Sequence, residues 1–125
     1  MNWTIEYSKQ NNFVKITTEG VFTLNDQIKM IEDVISQKFW KPGLNTFIDH
    51  RKLEFIKTDI SFIKEVSKNH EKFEKQIGNG KMAILMKSLT DYARGRQFEL
   101  LTGNKVSAQL NIFMDEEKAV NWLTS

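Results

Sequence analysis

Cysteine is absent from this 125-residue chain, which removes disulfides, thiolate nucleophiles and cysteine-ligated metals together. Only two histidines occur, His50 and His70. They stand far apart, and no carboxylates around them show ligand spacing, so neither a metal nor a cofactor is expected. The longest apolar run, Met82 to Met86, falls well short of the roughly 18–20 residues that span a bilayer. No transmembrane segment is expected. Charge of one sign is lacking too: 18 Lys and Arg face 16 Asp and Glu, and they interleave, as in Glu71-Lys72-Phe73-Glu74-Lys75. Nucleic-acid binders concentrate their basic residues on one face, so no nucleic-acid partner is expected. The opening Met1–Tyr7 shows no basic stretch followed by an apolar run, hence no signal peptide. Together with the missing cysteines this suggests a cytoplasmic location.

What is present is an ordinary globular composition, 40% hydrophobic and 27% charged, in a chain long enough for one domain with its own core. Residues 1–125 read as that single domain. Trp3, Ile5 and Tyr7 alternate with polar residues at the period of a half-buried strand. After the polar turn Lys9–Asn12, the β-branched stretch Phe13–Thr18 forms the second arm of a hairpin, with Gly20 expected to end it. Thr23 is placed as a helix N-cap three residues before Asp26. Leu24, Ile28, Ile31 and Ile35 then line one helical face.

Asn45–Asp49 reads as a short buried strand, and His50–Lys57 as a loop or a partly extended stretch anchored by Leu53, Phe55 and Ile56. Thr58 is the next expected N-cap. From there Ile60, Ile63, Val66, His70, Phe73 and Ile77 follow at helical spacing up to Gly78. Lys81–Met86 is a strand, and Ser88 or Thr90 caps a helix carrying Leu89, Tyr92, Ala93, Leu100 and Leu101. Leu110–Met114 is the last strand. Asp115 caps the last helix, which packs through Ala119, Val120 and Leu123. The order β-β-α-β-α-β-α-β-α predicts an α/β fold. Its single mixed sheet would have an N-terminal hairpin, then parallel strands, with about four helices mainly on one face.

This order, with these residues, resembles the SpoIIAA-like branch of the STAS superfamily, the anti-sigma-factor-antagonist fold. The resemblance rests on the Trp3-to-Tyr7 opening strand, Glu19-Gly20 before the first helix, and Phe47-Ile48-Asp49. It continues through the strand-helix unit Ala83–Gln97 and the ending from Ile112-Phe113-Met114-Asp115 to Trp122-Leu123. It implies binding rather than chemistry. It also implies kinship to Sec14-type lipid-binding folds, hence an apolar ligand site that no residue identifies. The regulatory branch carries an Asp-Ser-Ser-Gly pattern with a phosphoacceptor serine. Here the matching stretch is Lys57-Thr58-Asp59-Ile60, which departs at three of four positions and keeps only a hydroxyl, Thr58 for the first Ser, so the phospho-switch is not carried over.

Three groups of residues are candidates for a ligand or partner site. Asp49-His50-Arg51 follows a core strand, and ligands of open α/β sheets gather at strand carboxyl ends. A carboxylate, an imidazole and a guanidinium together could bind an anion or exchange protons. Against this stands a structural role, with Asp49 capping local amides and the other two facing solvent. Thr58 opens the following helix. Lys87-Ser88 and Arg94 sit at the next strand-to-helix turn, where a helix N-terminus favours anions. No glycine-rich cradle precedes it, which excludes a Walker-type phosphate loop. Gly95, inside that helix, costs about 1 kcal/mol against Ala and is read as a close-packing site. His70 is read as a packed core residue.

No catalytic set emerges, so no enzyme is expected. The leading expectation is a non-enzymatic module that binds a protein partner or forms a homodimer. The alternative is a carrier of a lipid or other small apolar ligand between helices and sheet.

Overall fold

The computed structural model describes residues 1–125. Five strands form one mixed sheet in sequence order: β1 (Asn2–Ser8), β2 (Phe13–Val21), β3 (Asn45–Glu54), β4 (Lys81–Leu85) and β5 (Gln109–Phe113). β1 and β2 pair antiparallel as the expected hairpin, and every later pairing is parallel. Parallel neighbours need a crossover on a sheet face, and helices supply it. They are α1 (Leu24–Ile35), α2 (Ile60–Glu71), the single turn α3 (Glu74–Ile77), α4 (Leu89–Thr102) and α5 (Glu116–Leu123). None is long and apolar enough to cross a membrane.

Alternation along the strands divides the core in two. Val14, Ile16, Ile48, Met82, Ile84 and Ile112 form one buried cluster with Met30 and Val34 of α1. Phe13, Phe47, Ala83 and Leu85 point to the opposite face, where Ala119 and Leu123 of α5 cover them. One face therefore carries α1, α2 and α4, and the other carries α5 alone.

Side-chain hydrogen bonds tie the three-helix layer together. Gln27 of α1 donates to the Val66 carbonyl at 3.0 Å and accepts from Asn69 at 3.1 Å. Ser67 of α2 and Thr102 of α4 share a 2.7 Å hydrogen bond. All four residues are buried, so each polar group has its required partner inside the protein.

Three caps fall where the sequence places them. Thr23, Ser88 and Asp115 accept hydrogen bonds from the amides of Asp26, Asp91 and Lys118, which satisfies otherwise orphaned first-turn donors.

Other elements differ from expectation. β2 does not end at Gly20 but runs to Val21, because Gly20 adopts φ +95° and lets the chain continue beside β3. β3 is five residues longer than Asn45–Asp49, since Glu19, Gly20 and Val21 pair with Lys52, Leu53 and Glu54. Of the two readings of His50–Lys57 the partly extended one holds: residues 50–54 are strand, held on one side only, because β4 pairs no further than Asp49.

The N-cap of α2 is Asp59 rather than Thr58, and its side chain makes no capping bond. The helix then breaks at Lys72-Phe73 before α3. In α1 the deepest residues are Gln27, Met30 and Val34, with Ile28, Ile31 and Ile35 only half-buried. In α4, Leu89 and Leu100 are 72% and 69% exposed, while Gly95 and Thr102 are buried. The cause is Gly95. A Cβ there would lie 3.0 Å from Ile112 Cγ2, so the helix seats its glycine on β5 and turns the leucines outward.

Candidate functional site

An apolar cavity of about 130 Å³ lies between the sheet and the three-helix layer. That is on the order of ten water-sized positions, at about 10–15 Å³ each. Its floor is Ile16, Thr46, Ile48, His50, Met82, Ile84 and Met86, and its roof comes from α1, α2 and α4. Of 26 lining residues 17 are hydrophobic, a surface that disfavours water and suits an apolar chain.

The half-buried side chains of α1 now have a reason. Ile31 and Ile35 line this space, Ile31 also touching the buried cluster. Gly95 lines it as well, so one residue provides both the close approach to β5 and part of the wall.

Polar lining residues gather at the carboxyl ends of β3 and β4. Lys57 and Thr58 come from the β3–α2 connection, Asp91 and Arg94 from the first turns of α4. Arg94 is partly exposed and stands 3.8 Å from Asp91, a loose pair that leaves the guanidinium available to a second acceptor. Below this mouth lies an aromatic collar. Phe22 packs tilted against Phe55 at 5.4 Å and meets Phe62 edge-on at 6.0 Å, and His50 lies 6.5 Å from Phe22 and 6.1 Å from Phe55.

His50 owes its position to an irregularity. Between Thr17↔Asp49 and Glu19↔Lys52, β2 advances two residues and β3 three, so His50 and Arg51 stand opposite Thr18 alone. Such a bulge re-aims side chains. Thr18 lies 2.7 Å from His50 Nδ1 and donates to the Asp49 carbonyl at 3.1 Å. His50 is buried, and burial lowers its pKa to about 4, against a smaller raising effect of the Asp49 charge. The imidazole is therefore neutral near pH 7.

His70 lines the deeper part of the cavity, edge-on to Phe98 at 5.9 Å. Burial lowers its pKa to about 4 too, opposed by Glu74, and its Nε2 is buried without a partner.

The group Asp49-His50-Arg51 is divided by the sheet. His50 faces the cavity, while Asp49 and Arg51 lie on the α5 side. There Arg51 grips Asp49 with two side-chain bonds, Nε to Oδ1 at 3.0 Å and Nη2 to Oδ2 at 2.9 Å. Its backbone amide adds a third at 3.0 Å, and Nη2 also reaches Glu116 of α5 at 2.9 Å. Burial raises the Asp49 pKa, but these bonds from Arg51 outweigh it and hold the carboxyl below its usual value. Asp49 is thus occupied in tying β3 to α5, and no acid–base pair with His50 forms.

The remaining candidates separate likewise. Thr58 and Arg94 line the cavity. Lys87 is exposed and outside the lining, and the Ser88 hydroxyl is engaged as the α4 cap. Lys57, Asp91 and the collar Phe22, Phe55 and Phe62 were not singled out in sequence. The available signal was a phenylalanine placed at the end of β2, just after β3 and in the first turn of α2.

Neither a protein-family model nor a curated protein matches this chain. Among solved structures, an uncharacterised protein of the DUF3478 family from Shewanella loihica PV-4, described as having a SpoIIAA-like fold, superposes with a TM-score of 0.63. The match covers 98% of this chain and 92% of that one at 16% identity. Mixed sheet, helix order and superposition agree: the chain has a SpoIIAA-like fold.

Proposed function

We propose that this protein is a non-enzymatic carrier of a small amphiphile, an apolar chain with an acidic head. The observation that carries this reading is the 130 Å³ apolar cavity, whose charged lining residues, Lys57, Asp91 and Arg94, stand together at its mouth. The chain would lie among Ile31, Ile35, Met30 and Ile84. The head would sit at the mouth, where Lys57 and Arg94 offer positive charge and Thr58 a hydroxyl. Burial of each methylene contributes about 0.8 kcal/mol, so a medium-length chain supplies most of the affinity and the head mainly orientation.

Native mass spectrometry of gently purified protein, with calorimetric titration of decanoic acid, tests the reading. Met30→Trp, which fills the cavity, should abolish binding. Arg94→Glu should weaken it about tenfold. Protein that is always empty and ignores added fatty acids would rule the reading out.

A second reading, association with a protein partner or a second copy, has its own support. Leu89, Ala93 and Leu100 share one face of α4 and all three are exposed. Sedimentation at increasing concentration distinguishes the two: self-association that Leu100→Glu removes supports it, and a strict monomer leaves only a foreign partner.

A further inference from the structure

The Thr18 hydroxyl has one proton and two neighbours. The Asp49 carbonyl can only accept, and Thr18 lies 3.1 Å from it. If the proton went instead to His50 Nδ1 at 2.7 Å, the hydroxyl and carbonyl oxygens would face each other lone pair to lone pair. Only one arrangement satisfies both contacts. Thr18 donates to Asp49, and His50 donates from Nδ1–H to Thr18 Oγ1.

That leaves His50 Nε2 unprotonated. It makes no hydrogen bond within the protein, and His50 is 8% exposed on the floor of the cavity. Unlike the fully buried Nε2 of His70, this atom is open to the cavity, so a ligand lying there can reach it, and a ligand that displaces water from it without bringing a donor leaves it unpaired. The two rings that pack edge-on against His50, Phe22 and Phe55, carry no donor. The charged groups near it are few. Asp49 lies across the sheet, bound to Arg51, and Lys57, Asp91 and Arg94 are at the mouth. The bulge at His50-Arg51 opposite Thr18 directs this acceptor inward.

We infer that the cavity selects an acyl ligand bearing a hydroxyl near its acidic head, the hydroxyl donating to His50 Nε2 while the carboxylate lies toward Lys57 and Arg94. The inference rests on the carrier reading above and narrows it to hydroxylated acyl chains. A plain fatty acid fills the same space but leaves the Nε2 lone pair without a donor. Thr18 acts through His50 as a positioning residue, because it fixes which nitrogen carries the proton.

Titration calorimetry of the full chain at pH 7 with decanoic acid and with its β-hydroxy derivative is the test. About tenfold tighter binding of the hydroxy acid is expected, the usual effect of one buried hydrogen bond. Thr18→Val, which removes the proton arrangement at Nδ1, should bring the two ligands within about twofold, and His50→Phe should do the same. The wild-type comparison needs no variant, so a poorly folding variant leaves the result intact. Equal affinity of the two acids for wild-type protein overturns the hydroxyl selection while the carrier reading stands. A preference that persists undiminished in Thr18→Val also overturns it. Binding of neither acid defeats the carrier reading itself, and this inference with it.

Discussion

Thr18 and His50 form a 2.7 Å side-chain pair across the β2–β3 bulge, both residues being buried. Thr18→Val keeps the shape but leaves His50 Nδ1 and the Asp49 carbonyl without their Thr18 partner. A loss of about 1–3 kcal/mol is expected from unsatisfied buried groups, read by chemical denaturation. Nitrogen chemical shifts of His50 should report the Nδ1–H tautomer in wild type and lose that signature in the variant.

Both histidines link stability to pH. Their folded pKa values are about 4, against an ordinary 6.5. Above 6.5 both states are neutral and the fold is fully stable. As pH falls from 6.5 to 4, the unfolded chain takes up protons that the folded one refuses, and stability declines. Each histidine contributes on the order of 3 kcal/mol to that decline, from about 1.36 kcal/mol per pKa unit. Denaturation midpoints between pH 7 and 4 should show it, and His70→Phe should flatten the profile. An unchanged slope would disprove the assignment to His70.

At Gly95, two effects oppose each other. Alanine gains about 1 kcal/mol of helix propensity, but its Cβ would press on Ile112, which is 3% exposed in β5. Overpacking costs about 1–3 kcal/mol, so Gly95→Ala should destabilise on balance. The penalty should vanish in an Ile112→Ala background, which a double-mutant cycle would reveal.

Arg51 and Glu116 should behave differently despite their contact. Arg51→Ala leaves the Asp49 carboxylate buried without its two-pronged partner and should cost about 2 kcal/mol or more. Glu116→Gln removes an exposed pair, with both side chains near half exposure, and should cost under about 1 kcal/mol. Thermal melts of the two variants check the ranking.

Much of this architecture could be read from local pattern. The hairpin, the Thr23, Ser88 and Asp115 caps and the packing of α5 through Ala119 and Leu123 depend on neighbours in sequence. The errors arose where a distant contact decides. Residues 50–54 look irregular by themselves and become strand only because β2 extends past Gly20 to meet them. Leu89 and Leu100 look like core residues until Gly95 is known to sit on Ile112. Asp49 and His50, adjacent in sequence, form no pair because strand geometry sends them to opposite faces. The lining of the cavity is illegible for the same reason: it comes from three strands, four helices and four connections. The strand carboxyl ends point to the mouth, while a site between helices and sheet follows only from the family resemblance, without its residues.

The alternation along β3 has an evolutionary consequence. Positions 46, 48 and 50 face the cavity, while positions 47, 49 and 51 face α5. Mutations that reshape the cavity wall and mutations that secure the C-terminal helix thus fall on interleaved but separate sets of codons. One strand can change the wall without loosening its anchorage, and relatives sharing this fold are expected to diverge at the first set while keeping the second.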